Sequence, residues 1–240
     1  MSLPSGTSAG WWTTVQEDIS DSEYELSRQD DLGLPVAYQA SNRAQNLRTY
    51  LTPNGFRAKP RTGDGAVWEW GLTLTGYGYE GAVQRVAPAT LSVEGNRIEY
   101  RRGDLTEWYV NDERGLEQGF TLDAPPPVEA LVRGPLRVHL ALTSDLTPVL
   151  TEDGQAVDFT TDSGVQVLNY GGSYAEDALG RELPAYLAVR PLGISLHVDD
   201  SFAIYPIVID PLVTSPSWEA EGGGANARFG YSVGTAGDVN

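Results

Sequence analysis

From residue 47 onward the chain alternates between apolar and polar positions. Trp68, Trp70, Leu72 and Leu74 share one parity, and Glu69, Gly71, Thr73 and Thr75 share the other. A period of two sends successive side chains to opposite faces of a strand, so this stretch predicts a half-buried strand with both tryptophans inside. Tyr77-Gly78-Tyr79 is expected to break it. The same alternation sets Leu136, Val138, Leu140 and Leu142 against Arg137, His139 and Ala141. It also sets Ile194, Leu196 and Val198 against Ser195, His197 and Asp199. Nearer the start, Tyr24 and Leu26 alternate with Glu23, Glu25 and Ser27, which predicts a first strand.

Turn signals separate these runs at intervals of about ten residues, the spacing of short antiparallel strands. Pro53-Asn54-Gly55 joins 47–52 to 56–59, and Asn-Gly suits a tight hairpin turn. Glu94-Gly95-Asn96 joins 91–93 to 98–100, and Arg102-Gly103-Asp104 leads into 105–110. The next turn runs from Asn111 to Gly115, before a strand at 118–122. Glu152-Asp153-Gly154 separates 149–150 from 156–160, and strands at 165–170 and 186–189 flank a loop over 171–182. Residues 202–209 are apolar on both faces, as in a central strand. Pro206 interrupts its ladder, and Asp210-Pro211 is expected to end it. These elements predict an all-β, antiparallel sandwich or jelly-roll-like fold.

One stretch has a helical period. Trp11, Trp12, Val15 and Ile19 fall on one face, with Glu17 and Asp18 on another, predicting a short amphipathic helix docked on the sheet. The segment Ala124-Pro125-Pro126-Pro127-Val128 is stiff and extended. It either separates two β lobes or crosses between the two sheets of one sandwich. There is no regular internal repeat, so this region is not itself a propeller. The expected division is a tail and helix over 1–22, a β-sandwich over 23–214, and a linker with a following motif over 215–240.

Composition narrows the function classes. The 240 residues carry 33 Asp and Glu against 16 Lys and Arg, a formal net charge of −17. Such a chain repels phosphate backbones, which argues against nucleic acid as a partner. There is no Cys, which removes disulfides, thiolate metal sites and a cysteine nucleophile. No apolar run reaches membrane-spanning length, so no membrane span is expected. No charged region followed by an apolar one opens the chain, so no signal peptide is expected within it. Met1-Ser2-Leu3 reads as an expression scar, and the chain is expected to be a piece that stops inside a motif.

That motif is Phe229-Gly230-Tyr231-Ser232-Val233-Gly234-Thr235-Ala236-Gly237-Asp238-Val239-Asn240. It resembles the opening of an FG-GAP repeat, the unit of integrin-α-type β-propellers, in which an FG strand leads into a calcium loop. Tyr205-Pro206-Ile207-Val208-Ile209-Asp210-Pro211, the segment from Tyr170 through Asp177-Ala178-Leu179-Gly180 to Ala185, Asn42 to Leu47, and Ile98-Glu99-Tyr100 with Glu107-Trp108-Tyr109 extend the likeness. Together they resemble the β-rich leader regions of large bacterial exported FG-GAP proteins, over roughly residues 11–240. The resemblance implies an extracellular or cell-surface location, the downstream propeller as a partner, and calcium as the cofactor of a complete repeat array. Asp238 and Asn240 would be the first ligands of that loop. Alone they supply too few of the six to eight oxygens calcium takes, so no metal or other cofactor is expected within these residues.

Candidate chemistry is sparse. The two histidines, His139 and His197, sit on the polar parity of their strands, and Ser195 and Asp199 flank His197. Outward residues two apart on a strand lie about 7 Å from each other, which is expected to keep Ser195 from bonding His197 and so to exclude a catalytic trio. No G-x-S-x-G elbow is present. Acidic residues between Glu17 and Asp31 lack the spacing of a calcium loop and read as a solvated face. Arg102-Gly103-Asp104 matches the integrin-binding tripeptide, but Gly103 is also what a strand-to-strand turn wants. Trp11, Trp12, Trp108 and Tyr109 are the candidate binding aromatics. The expectation is therefore a non-catalytic module with a structural, adhesive or interaction role. The alternatives are a module binding an extracellular glycan or a peptide, and a hydrolase with a carboxylate pair not visible in the pattern.

Overall fold

In the computed structural model, residues 23–29, 37–62, 67–127 and 134–215 are described. They form seventeen strands. In chain order these are β1 Ser27–Arg28, β2 Tyr38–Asn42, β3 Leu47–Thr52, β4 Gly55–Pro60, β5 Trp70–Tyr79, β6 Ala82–Arg85, β7 Thr90–Glu94, β8 Arg97–Arg102 and β9 Leu105–Asp112. They continue with β10 Gly115–Leu122, β11 Leu136–Ser144, β12 Thr147–Leu150, β13 Ala156–Thr160, β14 Gln166–Glu176, β15 Ala185–Arg190, β16 Gly193–Val198 and β17 Ile207–Thr214. The described region is all-β, as the alternation predicts. The helix expected around Trp11 and Trp12 lies outside the described residues.

The strands make two antiparallel sheets that pack as a sandwich. Nine strands run in the order β1-β2-β3-β4-β5-β11-β16-β15, with β6 pairing β5, and eight run in the order β12-β13-β14-β17-β10-β9-β8-β7. Both sheets mix strands from before and after 124–128, and the chain changes sheet between β10 and β11. The interior is stitched by aromatic contacts across the gap. Trp70 meets Phe159 edge-on at 5.1 Å and Phe56 meets Tyr109 at 5.2 Å, each pair joining one sheet to the other. Leu72, Leu140, Leu168, Ile194 and Ile209 fill the space around them. Each buried aliphatic side chain of this size contributes roughly 1.5–3 kcal/mol of burial free energy.

Four local expectations change. β5 runs through Tyr77-Gly78 to Tyr79 because β11 and β6 pair with its far end. The first strand is only Ser27–Arg28, displaced past Tyr24 and Leu26. β14 reaches Glu176, taking up part of the expected loop. β17 begins after Pro206 and continues past Asp210-Pro211 to Thr214. Pro211 lacks a ladder donor, and the register of β14 shifts between Gly171 and Tyr174, opposite it, so a bulge in the partner accommodates the proline inside the sheet.

Candidate functional site

The outer face of the nine-stranded sheet holds a groove of about 570 Å³. Its axis is a cross-strand row fixed by register: Tyr50 lies opposite Arg57, Arg57 opposite Gly71, and Gly71 opposite Thr143. Gly71 makes the trough. A Cβ there would sit 2.3 Å from the Phe56 carbonyl oxygen, so the close approach of β4 requires glycine and leaves no side chain between Arg57 and Thr143. Lys59 lies 5.1 Å over the Tyr50 ring, and Arg57 pairs with Glu69 at 2.7 Å. The groove thus offers an aromatic face, two cations, one carboxylate and the Thr52, Thr73 and Thr143 hydroxyls. Its sequence signal is the outward parity of Tyr50, Arg57 and Lys59 on two hairpinned strands.

Further along the same face, β11 and β16 place Arg137 opposite His197 and His139 opposite Ser195. The expectation that Ser195 and His197 stand apart and face solvent is wrong. Ser195 Oγ and His197 Nε2 are 2.8 Å apart, because the two side chains lean toward each other along the strand. Both are buried, at 1% and 8% exposure. Tyr186 from β15 stacks on the His197 ring at 4.6 Å, and Arg137 stands beside it. Asp199 does not join them; its carboxylate accepts from the Ser201 hydroxyl and backbone N–H. Burial, followed by the charges of Arg137, His139 and Arg190, lowers the His197 pKa to about 4. The serine therefore has a hydrogen-bonded base, but it lies under its neighbours and the third member of a trio is elsewhere.

Trp108 and Tyr109 do not form one surface, because adjacent strand positions take opposite faces. Trp108 lies on the outer face of β9, flat over Gly119, with Arg97 4.4 Å from its ring and its indole N–H donating to Thr121 Oγ1 at 3.2 Å. Tyr109 points inward and is fully buried. It belongs to a polar network that the sequence pattern does not announce. Glu107, 0% exposed, accepts from the Arg102 guanidinium at 2.8 Å, from the Tyr109 hydroxyl at 2.6 Å and from Gln118 Nε2 at 3.1 Å. Tyr170 in turn donates to Gln118 Oε1 at 2.8 Å. Burial, then the Glu107 charge, pushes the Tyr109 and Tyr170 hydroxyls well up, so both remain donors. Arg102-Gly103-Asp104 is a turn with Gly103 at φ +69°, and the Arg102 side chain is only 5% exposed, so it is committed to the interior.

On the outer face of the eight-stranded sheet, Asp210 of β17 and Glu117 of β10 are neighbours. Burial, then the hydrogen bond and charge of Glu117, push the Asp210 pKa up to about 7. Arg114 holds Asp112 at 2.6 Å and Glu117 at 2.7 Å. At the edge of the sandwich, Asp177 caps its own loop. It accepts from the Leu179, Arg181 and Ile204 backbone N–H groups and from the Arg181 side chain, which holds its carboxyl far below the usual range. Asp200 accepts from the Tyr79 and Tyr205 hydroxyls, each at 2.6 Å. Among the described residues, no group of three or more His, Asp or Glu side chains is placed to hold a metal ion. Among the described residues, there is no helix long and apolar enough to cross a membrane.

Trp11, Trp12, Asp238 and Asn240 lie outside the described residues. No protein-family model, no curated protein and no solved structure matches this chain.

Proposed function

We propose that the chain is a non-catalytic β-sandwich module of a secreted or surface-exposed bacterial protein. It precedes an FG-GAP propeller and acts in adhesion or interaction through the outer face of its nine-stranded sheet. The observation that carries this reading is the groove floored by Gly71 and walled by Tyr50, Arg57, Lys59 and Thr143. A trough that binds ligand combines an apolar surface with a few convergent polar groups. An extended glycan or peptide running across the strands would meet Tyr50 for stacking and the charged and hydroxyl groups for orientation. The motif Phe229-Gly230 with Asp238 and Asn240 supports the propeller part of the proposal.

The test is thermal unfolding of the full chain against a panel of glycans and peptides, with calcium as a separate arm. A ligand that binds only the folded state raises the midpoint by mass action. Tyr50→Ala and Arg57→Ala should abolish that shift while leaving the unliganded midpoint nearly unchanged, because both side chains lie on the solvent face. A panel with no shift, or a shift that survives both substitutions, refutes the groove as the binding face.

The Glu117–Asp210 pair favours a second reading, a hydrolase. A carboxyl with a pKa raised to about 7 beside a second carboxylate is the arrangement of an acid with a partner base. Neither carboxylate lines the groove. Release of reducing ends from a polysaccharide, lost in Asp210→Asn, would establish this reading over the first.

A further inference from the structure

We propose that the outer face of β11, β16 and β15 carries a site for a tetrahedral oxyanion, a sulfate or phosphate group, built by Arg137, His139 and Arg190 beside the buried Ser195–His197 pair. The first observation is the donors. The Arg190 guanidinium bonds His139 Nδ1. A guanidinium only donates, so Nδ1 is the acceptor, and the neutral imidazole carries its proton on Nε2. That N–H has no acceptor among the described residues. In the Ser195–His197 pair only one proton can lie between Oγ and Nε2, so either the His197 Nδ1–H or the serine O–H is left over as a donor.

The second observation is unmet need. His197 Nδ1 and Arg137 Nε are buried without a hydrogen-bond partner, and His197 is 8% exposed. Buried polar atoms without partners are rare and costly, and two of them fall on one row of this patch. The third observation is charge. Arg137 and Arg190 stand over two imidazoles. Glu80 is the carboxylate that answers them, 2.9 Å from Arg137, and its side chain is 72% exposed. Arg85 of β6, opposite Gly76, which pairs with His139 across β5, adds another cation to the same face. The His139 pKa is lowered by burial, then by Arg190 and Arg137, as expected for an imidazole in an uncompensated positive field. A chain with a net charge of −17 nevertheless gathers these cations in one place. Two guanidinium forks and an imidazole N–H match the acceptors of an oxyanion, which would neutralise the patch and satisfy its donors. This site lies at the other end of the sheet face from the groove and does not depend on the groove's ligand.

The chain has only two histidines, so both imidazoles can be followed by NMR and assigned with one variant, His139→Gln. The full chain would be titrated with sodium sulfate and sodium phosphate, with sodium chloride and sodium acetate as controls at matched ionic strength. The expected result is saturable movement of the His139 and His197 resonances. At saturation, the apparent pKa of at least one imidazole should rise by about half a unit or more, since a bound anion favours the imidazolium. Sulfate also stabilises proteins non-specifically, so the deciding comparison is Arg190→Gln, which should remove the saturable response while keeping the general one. Lys59→Ala, in the groove, should respond like the wild type. Unmoved histidines, a response retained in Arg190→Gln, or acetate acting as strongly as both oxyanions would each overturn the assignment.

Discussion

Arg102→Met tests whether the polar network inside the sandwich is a structural requirement. Arg102 and Glu107 form a 2.8 Å ion pair with side chains 5% and 0% exposed. Glu107 Oε1 keeps Tyr109 and Gln118 whatever happens to Arg102, but Oε2 has only the guanidinium. Removing Arg102 therefore leaves a buried, half-satisfied carboxylate. Breaking one partner of such a pair costs about 3–5 kcal/mol, against a total stability for a domain of about 5–15 kcal/mol. At about 2–4 °C per kcal/mol for a domain of this size, the midpoint should fall by roughly 6–20 °C. Methionine occupies a similar volume and keeps contact with the Tyr100 ring, 5.4 Å from the Arg102 guanidinium, so the loss isolates the charge rather than a cavity.

The assay is guanidinium unfolding followed by tryptophan fluorescence, on Arg102→Met, Glu107→Leu and the double variant. Removing both charges leaves no unpaired buried charge, and the loss of the Glu107 acceptor for Tyr109 and Gln118 is common to the Glu107→Leu and double variants, so the double variant should be more stable than the sum of the single losses implies, by about 2 kcal/mol or more. A cost below about 1 kcal/mol for Arg102→Met, or additive single losses, would refute the argument, because either would mean that water reaches Glu107.

Three further outcomes follow from the site geometry. In Gly119→Ala the new Cβ would lie 1.9 Å from the Trp108 ring, so the indole must leave Thr121 and Arg97. A loss of about 1–3 kcal/mol and a red-shifted fluorescence spectrum are expected, and an unchanged spectrum would refute the contact. The raised pKa of Asp210 means the folded state binds the extra proton, so its contribution to stability is complete below pH 3.8 and is lost as the pH rises through about 7. Asp210→Asn should therefore gain on the order of 1–2 kcal/mol at pH 8 and nothing at pH 4, a figure reduced for its partial exposure. His197 has the opposite sign. Its pKa falls from 6.5 to about 4, so stability is complete above pH 6.5 and declines as the pH drops toward 4. His197→Gln should flatten that limb of the stability profile, and an unchanged slope would show that His197 is not held neutral.

The alternation of apolar and polar residues was enough to assign faces. It put Leu136, Val138 and Leu140 inside and Arg137 and His139 outside, where they are. It could not report what lies on top of an outward residue. His197 is outward and still buried, because Tyr186 comes from a neighbouring strand and Arg137 from another, both decided by tertiary pairing. The spacing argument against the Ser195–His197 bond failed for a related reason. It measured backbone positions, and the side chains close the difference. Glu107 escaped notice because 105–110 carries an aromatic or apolar residue on both parities, so the pattern does not say which face is core. Pro211 misled as a strand terminator because the compensating bulge lies in β14, on a segment that only pairing brings to it.

Net charge misleads in the same way when it is treated as uniform. The outer face of the nine-stranded sheet carries Arg48, Arg57, Lys59, Arg137 and Arg190 beside Glu69 and Glu80, while that of the eight-stranded sheet carries Glu99, Glu117, Asp158, Glu176 and Asp210 beside Arg97 and Arg101. At physiological salt a charge is screened over about 8 Å. A long polyanion spans many such lengths and would meet the acidic remainder of the molecule, which is expected to repel it. A single oxyanion on Arg137 and Arg190 feels only the charges within one screening length, where cations predominate. On the proposed site a single sulfate would therefore bind where a polymer of phosphates is expected to be repelled. Lower salt should strengthen both effects, in opposite directions.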